Sequence, residues 1–133
     1  MCIRDRLFVV PVGKVVGQTN CQTATVLSYS SNCNEKFTMQ EADTNIFFSF
    51  IAERDSAQLI ISYQDSIAGF VYVYENDCNS VAVLTKQISN VISLPELTSG
   101  NSYIIRIQKN SATTFHFYAY LKNTLFYYPN QIL

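Results

Sequence analysis

The sequence predicts an all-β fold, a two-sheet antiparallel β-sandwich, jelly-roll-like, with about eight strands. From Phe47 onward the apolar and β-branched runs are short, and a helical period of 3.6 residues almost nowhere persists. The runs recur roughly every 8 to 12 residues, and no gap is long enough for the helix that a parallel βαβ sheet requires. Phe and Tyr supply 18 of the 133 residues, against a charged fraction of 14%. That composition gives two layers of strands rings to bury between them. It also excludes a disordered chain, which needs few aromatics and high net charge.

The predicted strands span residues 23–29, 45–52, 57–63, 69–75, 81–87, 91–94, 102–108 and 113–121. Turn chemistry separates them. Glu53 to Ser56 divides one pair of apolar runs, Asn76 to Asn79 divides another, and Ser99, Gly100 and Asn101 supply residues that tolerate positive φ. Gly69 and Gly100 fall at a strand start and a turn, and Pro95 closes the run before it. Alternation assigns the faces of two strands. Phe115, Phe117, Ala119 and Leu121 share a core face, with Thr114, His116, Tyr118 and Tyr120 on the other. Tyr103, Ile105 and Ile107 alternate with Ile104, Arg106 and Gln108, so Arg106 points outward or reaches a polar group of a neighbouring strand.

One domain is the count this length favours, and a chain of this size buries roughly two thirds of its unfolded surface without metal or dense disulfides. Nine Lys and Arg stand against ten Asp and Glu, a net charge of -1, while Ser, Thr and Asn fill 34 positions. Such a balance offers no basic footprint for nucleic acid and no polybasic run for an anionic membrane. No stretch approaches the roughly 18 apolar residues that span a bilayer, so no membrane insertion is expected.

Residues 1–6, MCIRDR, match the translation of the end of a transposon-type sequencing adapter and are set aside as an artefact of a metagenomic fragment. Without them the Cys count falls from four to three. Residues 7–17 read as the truncated tail of a signal peptide, with Val15 and Gly17 ahead of a cut before Gln18, or as a linker from an upstream module. Lys14 departs from the uncharged pattern that precedes such a cut. The sandwich domain is then 18–121, with 122–133 a final strand or linker.

The segments CQTATVL (21–27), IFFSFIA (46–52), VYVYENDCNSV (71–81) and LTSGNSYIIRI (97–107) occur in an order that resembles the jelly-roll accessory domains of secreted bacterial proteins, similar to the pre-peptidase C-terminal domain. The resemblance covers about residues 21–121. Phe47 stands where the family usually carries Trp, and no second Cys follows Cys78 around residues 85–87. What the resemblance implies is a non-catalytic module, secreted or at the cell surface, appended to large exported proteins beside peptidase or adhesive domains. Its partners would be neighbouring domains of the same polypeptide, and a glycan or surface protein. In such an exported protein Cys21 and Cys33 are expected to be bridged, closing a loop worth roughly 3 kcal/mol. Cys78 is then the odd thiol, and a buried, a free and an externally paired state all stand open for it.

His116 is the only imidazole, so any Ser-His or Cys-His nucleophilic site must use it. It lies mid-strand between two Phe rather than on a loop, and no enzyme is predicted. Three Cys without paired spacings or a nearby His argue against zinc. Two features carry ligand chemistry. Tyr72, Tyr74, His116, Tyr118 and Tyr120 could form an aromatic platform for sugars, and packing under loops is the alternative. Glu75, Asp77 and Asn79 alternate in one loop and Asp43 with Asn45 lie in another, offering calcium hard oxygen ligands, although ordinary turn chemistry accounts for the same residues. No other cofactor is implied. The leading functional expectation is a non-catalytic extracellular accessory module mediating domain presentation or protein/glycan contact. The alternatives are a dedicated carbohydrate-binding module and a fragment of a secreted peptidase or other hydrolase.

Overall fold

The computed structural model describes residues 21, 24–27, 29, 36–64 and 67–123. Among them are nine strands: β1 Thr25–Val26, β2 Lys36–Met39, β3 Asn45–Ile51, β4 Ala57–Ser62, β5 Gly69–Glu75, β6 Leu84–Gln87, β7 Val91–Leu94, β8 Ser102–Lys109 and β9 Phe115–Asn123. A five-stranded sheet has the order β1-β3-β8-β5-β6, and a four-stranded sheet the order β2-β9-β4-β7. This is the predicted two-sheet sandwich. Every strand pair is antiparallel except β1 with β3. Only β5 and β6 are both consecutive and paired; every other successive strand belongs to the opposite sheet, the jelly-roll-like pattern.

Five strands lie within a residue of their predicted bounds, and four places differ for physical reasons. The run Lys36–Met39 is too short, among polar neighbours, to announce itself, yet it pairs with β9 as β2. Of the expected strand over 23–29, the described residues form the two-residue β1 and an isolated bridge from Tyr29 to Leu121, while 23 and 28 lie outside the described residues. Val81 and Val83 are 87% and 58% exposed, so the apolar run 81–87 begins as loop and becomes β6 only at Leu84. Strand β9 starts two residues late and continues past 121 to Asn123, so the expected boundary there falls inside a strand.

Alternation assigned the core faces as the structure has them. Phe115, Phe117, Ala119 and Leu121 are buried, as are Tyr103, Ile105 and Ile107. The sheets meet through rings: Phe48 of the five-stranded sheet contacts Phe37 and Phe117 of the other, edge-on, with centroids 4.8 and 6.2 Å apart. Each such ring, fully withdrawn from water, contributes about 1.5–3 kcal/mol. Gly69 opens β5 where its backbone lies against β8. A Cβ there would run into the Gln108 carbonyl oxygen, with Ile88 Cδ1 only 2.8 Å away. Lys109, at the end of β8, is 2% exposed. Its Nζ donates to the carbonyls of Gln40 and Glu41 at 2.8 and 3.3 Å, so this buried cation closes the β2–β3 turn.

Candidate functional site

The outer face of the four-stranded sheet carries a groove of about 270 Å³ lined by Lys36, Ser62, Tyr63, Gln64, His116 and Tyr118, with Phe117 beneath. Register explains the grouping. Lys36 of β2 and Ser62 of β4 both lie opposite Tyr118 of the central strand β9, so the three side chains form one row across the sheet. The next row holds Thr38 beside His116. Thr38 Oγ1 and His116 Nδ1 share a hydrogen bond at 2.9 Å, which fixes the imidazole plane and leaves Nε2 for other partners. Ring, hydroxyl, amide and ammonium groups thus converge on one shallow site. Tyr120 shares this outer face, opposite Ile60, but does not line the groove.

The five aromatic positions expected to make one platform are not brought together. Tyr72 and Tyr74 belong to β5, in the five-stranded sheet, whereas His116, Tyr118 and Tyr120 belong to β9 in the other. Alternation tells which face of a strand is outward but not which sheet holds the strand. On their own face Tyr72 and Tyr74 flank Arg106, whose guanidinium carbon lies 4.1 Å from the Tyr72 centroid and 6.0 Å from that of Tyr74. Arg106 also donates to Asn45 Oδ1 at 3.5 Å, the reach to a neighbouring strand that its position predicts. Tyr72 donates to Gln108 Oε1 at 3.0 Å. These rings serve packing and a cation on their own sheet.

The candidate calcium ligands are engaged locally. Asp77 Oδ1 accepts from the Asn79 amide at 2.9 Å, and Glu75 Oε2 accepts from Asn101 Nδ2 at 2.7 Å. In the other loop Asp43 Oδ2 accepts from the Gln40 amide at 2.8 Å. Among the described residues no three His, Cys, Asp or Glu side chains gather as a metal site would need. Nor is any described helix long and apolar enough to cross a membrane.

The disulfide differs from expectation. Cys21 is bonded to Cys78, 57 residues away, with Cα atoms 6.3 Å apart. A sulfur forms one such bond, so Cys21 is not bridged to Cys33, which itself lies outside the described residues. Bridging requires Cα atoms within about 4.4–6.8 Å, a spatial condition that a twelve-residue spacing does not guarantee. The bond ties the segment leading into β1 to the β5–β6 loop. At Tyr29 burial pushes the phenol upward; the hydrogen bond from the Glu53 amide opposes this and the Glu53 charge adds to it.

Sequence reasoning placed His116 and Tyr118 on an outer face and missed Lys36, Ser62 and Gln64. The alternation of Lys36-Phe37-Thr38-Met39 is the one local feature that could have placed Lys36 there.

No protein-family model matches the chain, and no curated protein sequence matches it. Among solved structures it is similar to the pre-peptidase C-terminal domain of a collagenase from Bacillus anthracis, at 11% identity and a TM-score of 0.58, covering 74% of this chain and 94% of that one. It is also similar to PliG of Aeromonas hydrophila, a periplasmic inhibitor of g-type lysozyme, at 14% identity and a TM-score of 0.53, again covering 74% and 94%. At such identities the likeness is one of fold, and the fold is that of the pre-peptidase C-terminal domain.

Proposed function

We propose that this chain is a non-catalytic extracellular accessory module of a larger exported bacterial protein, presenting neighbouring domains and contacting a glycan or protein surface. The observation that carries the reading is the fold likeness to nearly the whole of a collagenase's appended domain. Two features support it. A disulfide joining distant parts of the chain suits an oxidising compartment. The one imidazole lies within strand β9, one residue from its start, and is hydrogen-bonded to Thr38, whereas catalytic groups are disproportionately displayed on loops. The groove over the four-stranded sheet favours, as a second reading, a dedicated carbohydrate-binding module.

Peptide, ester and glycoside substrates separate these from an enzyme. The expected result is no turnover that depends on His116. Hydrolysis by the wild-type chain that His116→Ala abolishes, with the fold intact, overturns the non-catalytic reading. Glycan-array binding lost in Tyr118→Ala would establish the carbohydrate-binding role, and binding unchanged by that substitution would remove the groove from it.

A further inference from the structure

Building on the reading that the module contacts glycan, we propose that the groove over the four-stranded sheet takes an acidic saccharide, a sugar ring bearing a carboxylate, with Lys36 selecting for that charge. The charge distribution is the first argument. Strands β2, β4, β7 and β9 contain Lys36, Lys122 and His116 and not one Asp or Glu, in a chain whose net charge is -1. The described carboxylates Glu41, Asp43, Glu53, Asp55, Asp77 and Glu96 stand in turns, and Glu75 ends a strand of the other sheet. Among the described residues the lining of the groove holds the Lys36 ammonium and no carboxylate, so a carboxylate ligand meets attraction there at close range.

Geometry supplies the second argument. The row Lys36, Tyr118, Ser62 places an ammonium, a ring and a hydroxyl in line across three strands. His116 Nε2 and the Gln64 amide complete the groove alongside. A half-buried ring offers a face to the C–H side of a sugar, the amide and hydroxyl pair with its hydroxyls, and the ammonium meets its carboxylate as a point charge. A volume of about 270 Å³ lies near the lower end of ligand pockets and suits one ring of a longer chain. Arg106, beside the Tyr pair of the opposite sheet, is unsuited to the same task. Arg106 is already covered by Tyr72 and bonded to Asn45.

Calorimetric titration of the full chain with oligogalacturonate and with neutral oligogalactose of equal length tests the proposal. Oligogalacturonate should bind in preference, and Lys36→Met should weaken it about tenfold, the loss of one charge-assisted hydrogen bond. Lys122→Met, on the same sheet but outside the groove, should change little. Equal binding of both oligomers, indifferent to Lys36→Met, overturns the acidic class while leaving glycan contact standing. Binding of neither removes both. Displacement by acetate at the same concentration as uronate would show plain anion binding and overturn the saccharide.

Discussion

Removing the bridge between Cys21 and Cys78 should cost more than the bridge expected from spacing would have contributed. The bond closes a loop spanning 57 residues. On the loop-entropy treatment this restricts the unfolded chain by about 4 kcal/mol, against about 3 kcal/mol for a loop of a dozen residues. Such a term is a large share of the roughly 5–15 kcal/mol that holds a domain together. Because Cys33 could form a substitute bridge, the comparison is best made on a Cys33→Ser background, with and without Cys78→Ser. Guanidinium unfolding under non-reducing conditions should show a loss of about 4 kcal/mol in the double variant, and reduction of the single variant should reproduce it. Peptide mapping gives an independent reading. Cys21 and Cys33 lie together between Lys14 and Lys36, whereas Cys78 lies between Arg54 and Lys86, so the bond joins two tryptic peptides. That cross-link should persist in Cys33→Ser. Its disappearance there, together with a Cys78→Ser variant as stable as wild type, would refute the pairing and the loop argument with it.

Lys109→Met keeps the apolar stem but withdraws the donor from the Gln40 and Glu41 carbonyls, and should cost about 2–3 kcal/mol, a fall in Tm of about 10 °C by calorimetry. Gly69→Ala should destabilise by about 2 kcal/mol or more, since the added carbon meets the Gln108 carbonyl. By contrast Gly100→Ala, with open space around it and a φ of 91°, should cost only about 1 kcal/mol; equal effects in denaturant titrations would deny the steric distinction. Because the folded state raises the Tyr29 pKa, the stability that its neutral phenol contributes is complete below about pH 10 and is lost as pH rises through the raised value. Tyr29→Phe should therefore flatten the alkaline fall in unfolding free energy. With Asp77 and Glu75 engaged by Asn79 and Asn101, excess calcium or chelator should move Tm by less than about 1 °C, and a larger shift would restore calcium to the β5–β6 loop.

Much of the sandwich was legible because its strands are half-buried, and half-burial writes itself into sequence as alternation. Phe115 to Leu121 and Tyr103 to Ile107 show it over several residues, and their core faces follow directly. Strand β5 is bounded by Gly69 at one end and Asn76, with a φ of 74°, at the other, so both ends are marked by turn chemistry. Strand β2 has only four residues, and its place comes from pairing with β9 across a separation no local pattern encodes. The partner of Cys21 was hidden for the same reason. Which cysteine comes within bonding distance depends on how the strands are ordered, and spacing along the chain carries no such information.

The same limit governs the candidate site. An outward Tyr beside an outward cation occurs on both sheets, and the two pairs have opposite consequences because burial differs. Arg106 is partly buried, lies 4.1 Å from the Tyr72 ring, and its Nε has no hydrogen-bond partner among the described residues. Its attraction to the ring, about 1–2 kcal/mol where water is excluded, is internal to the protein and offsets part of its desolvation. Lys36 is exposed at the edge strand β2, so its charge remains hydrated. An exposed ammonium adds little to folding, and that small structural role leaves it available to recognition. The division of aromatic residues between the sheets therefore separates two jobs. Tyr72 and Tyr74 cover a cation that the fold must accommodate. His116 and Tyr118, with Lys36 and Ser62 drawn beside them by register, form the surface whose chemistry faces outward.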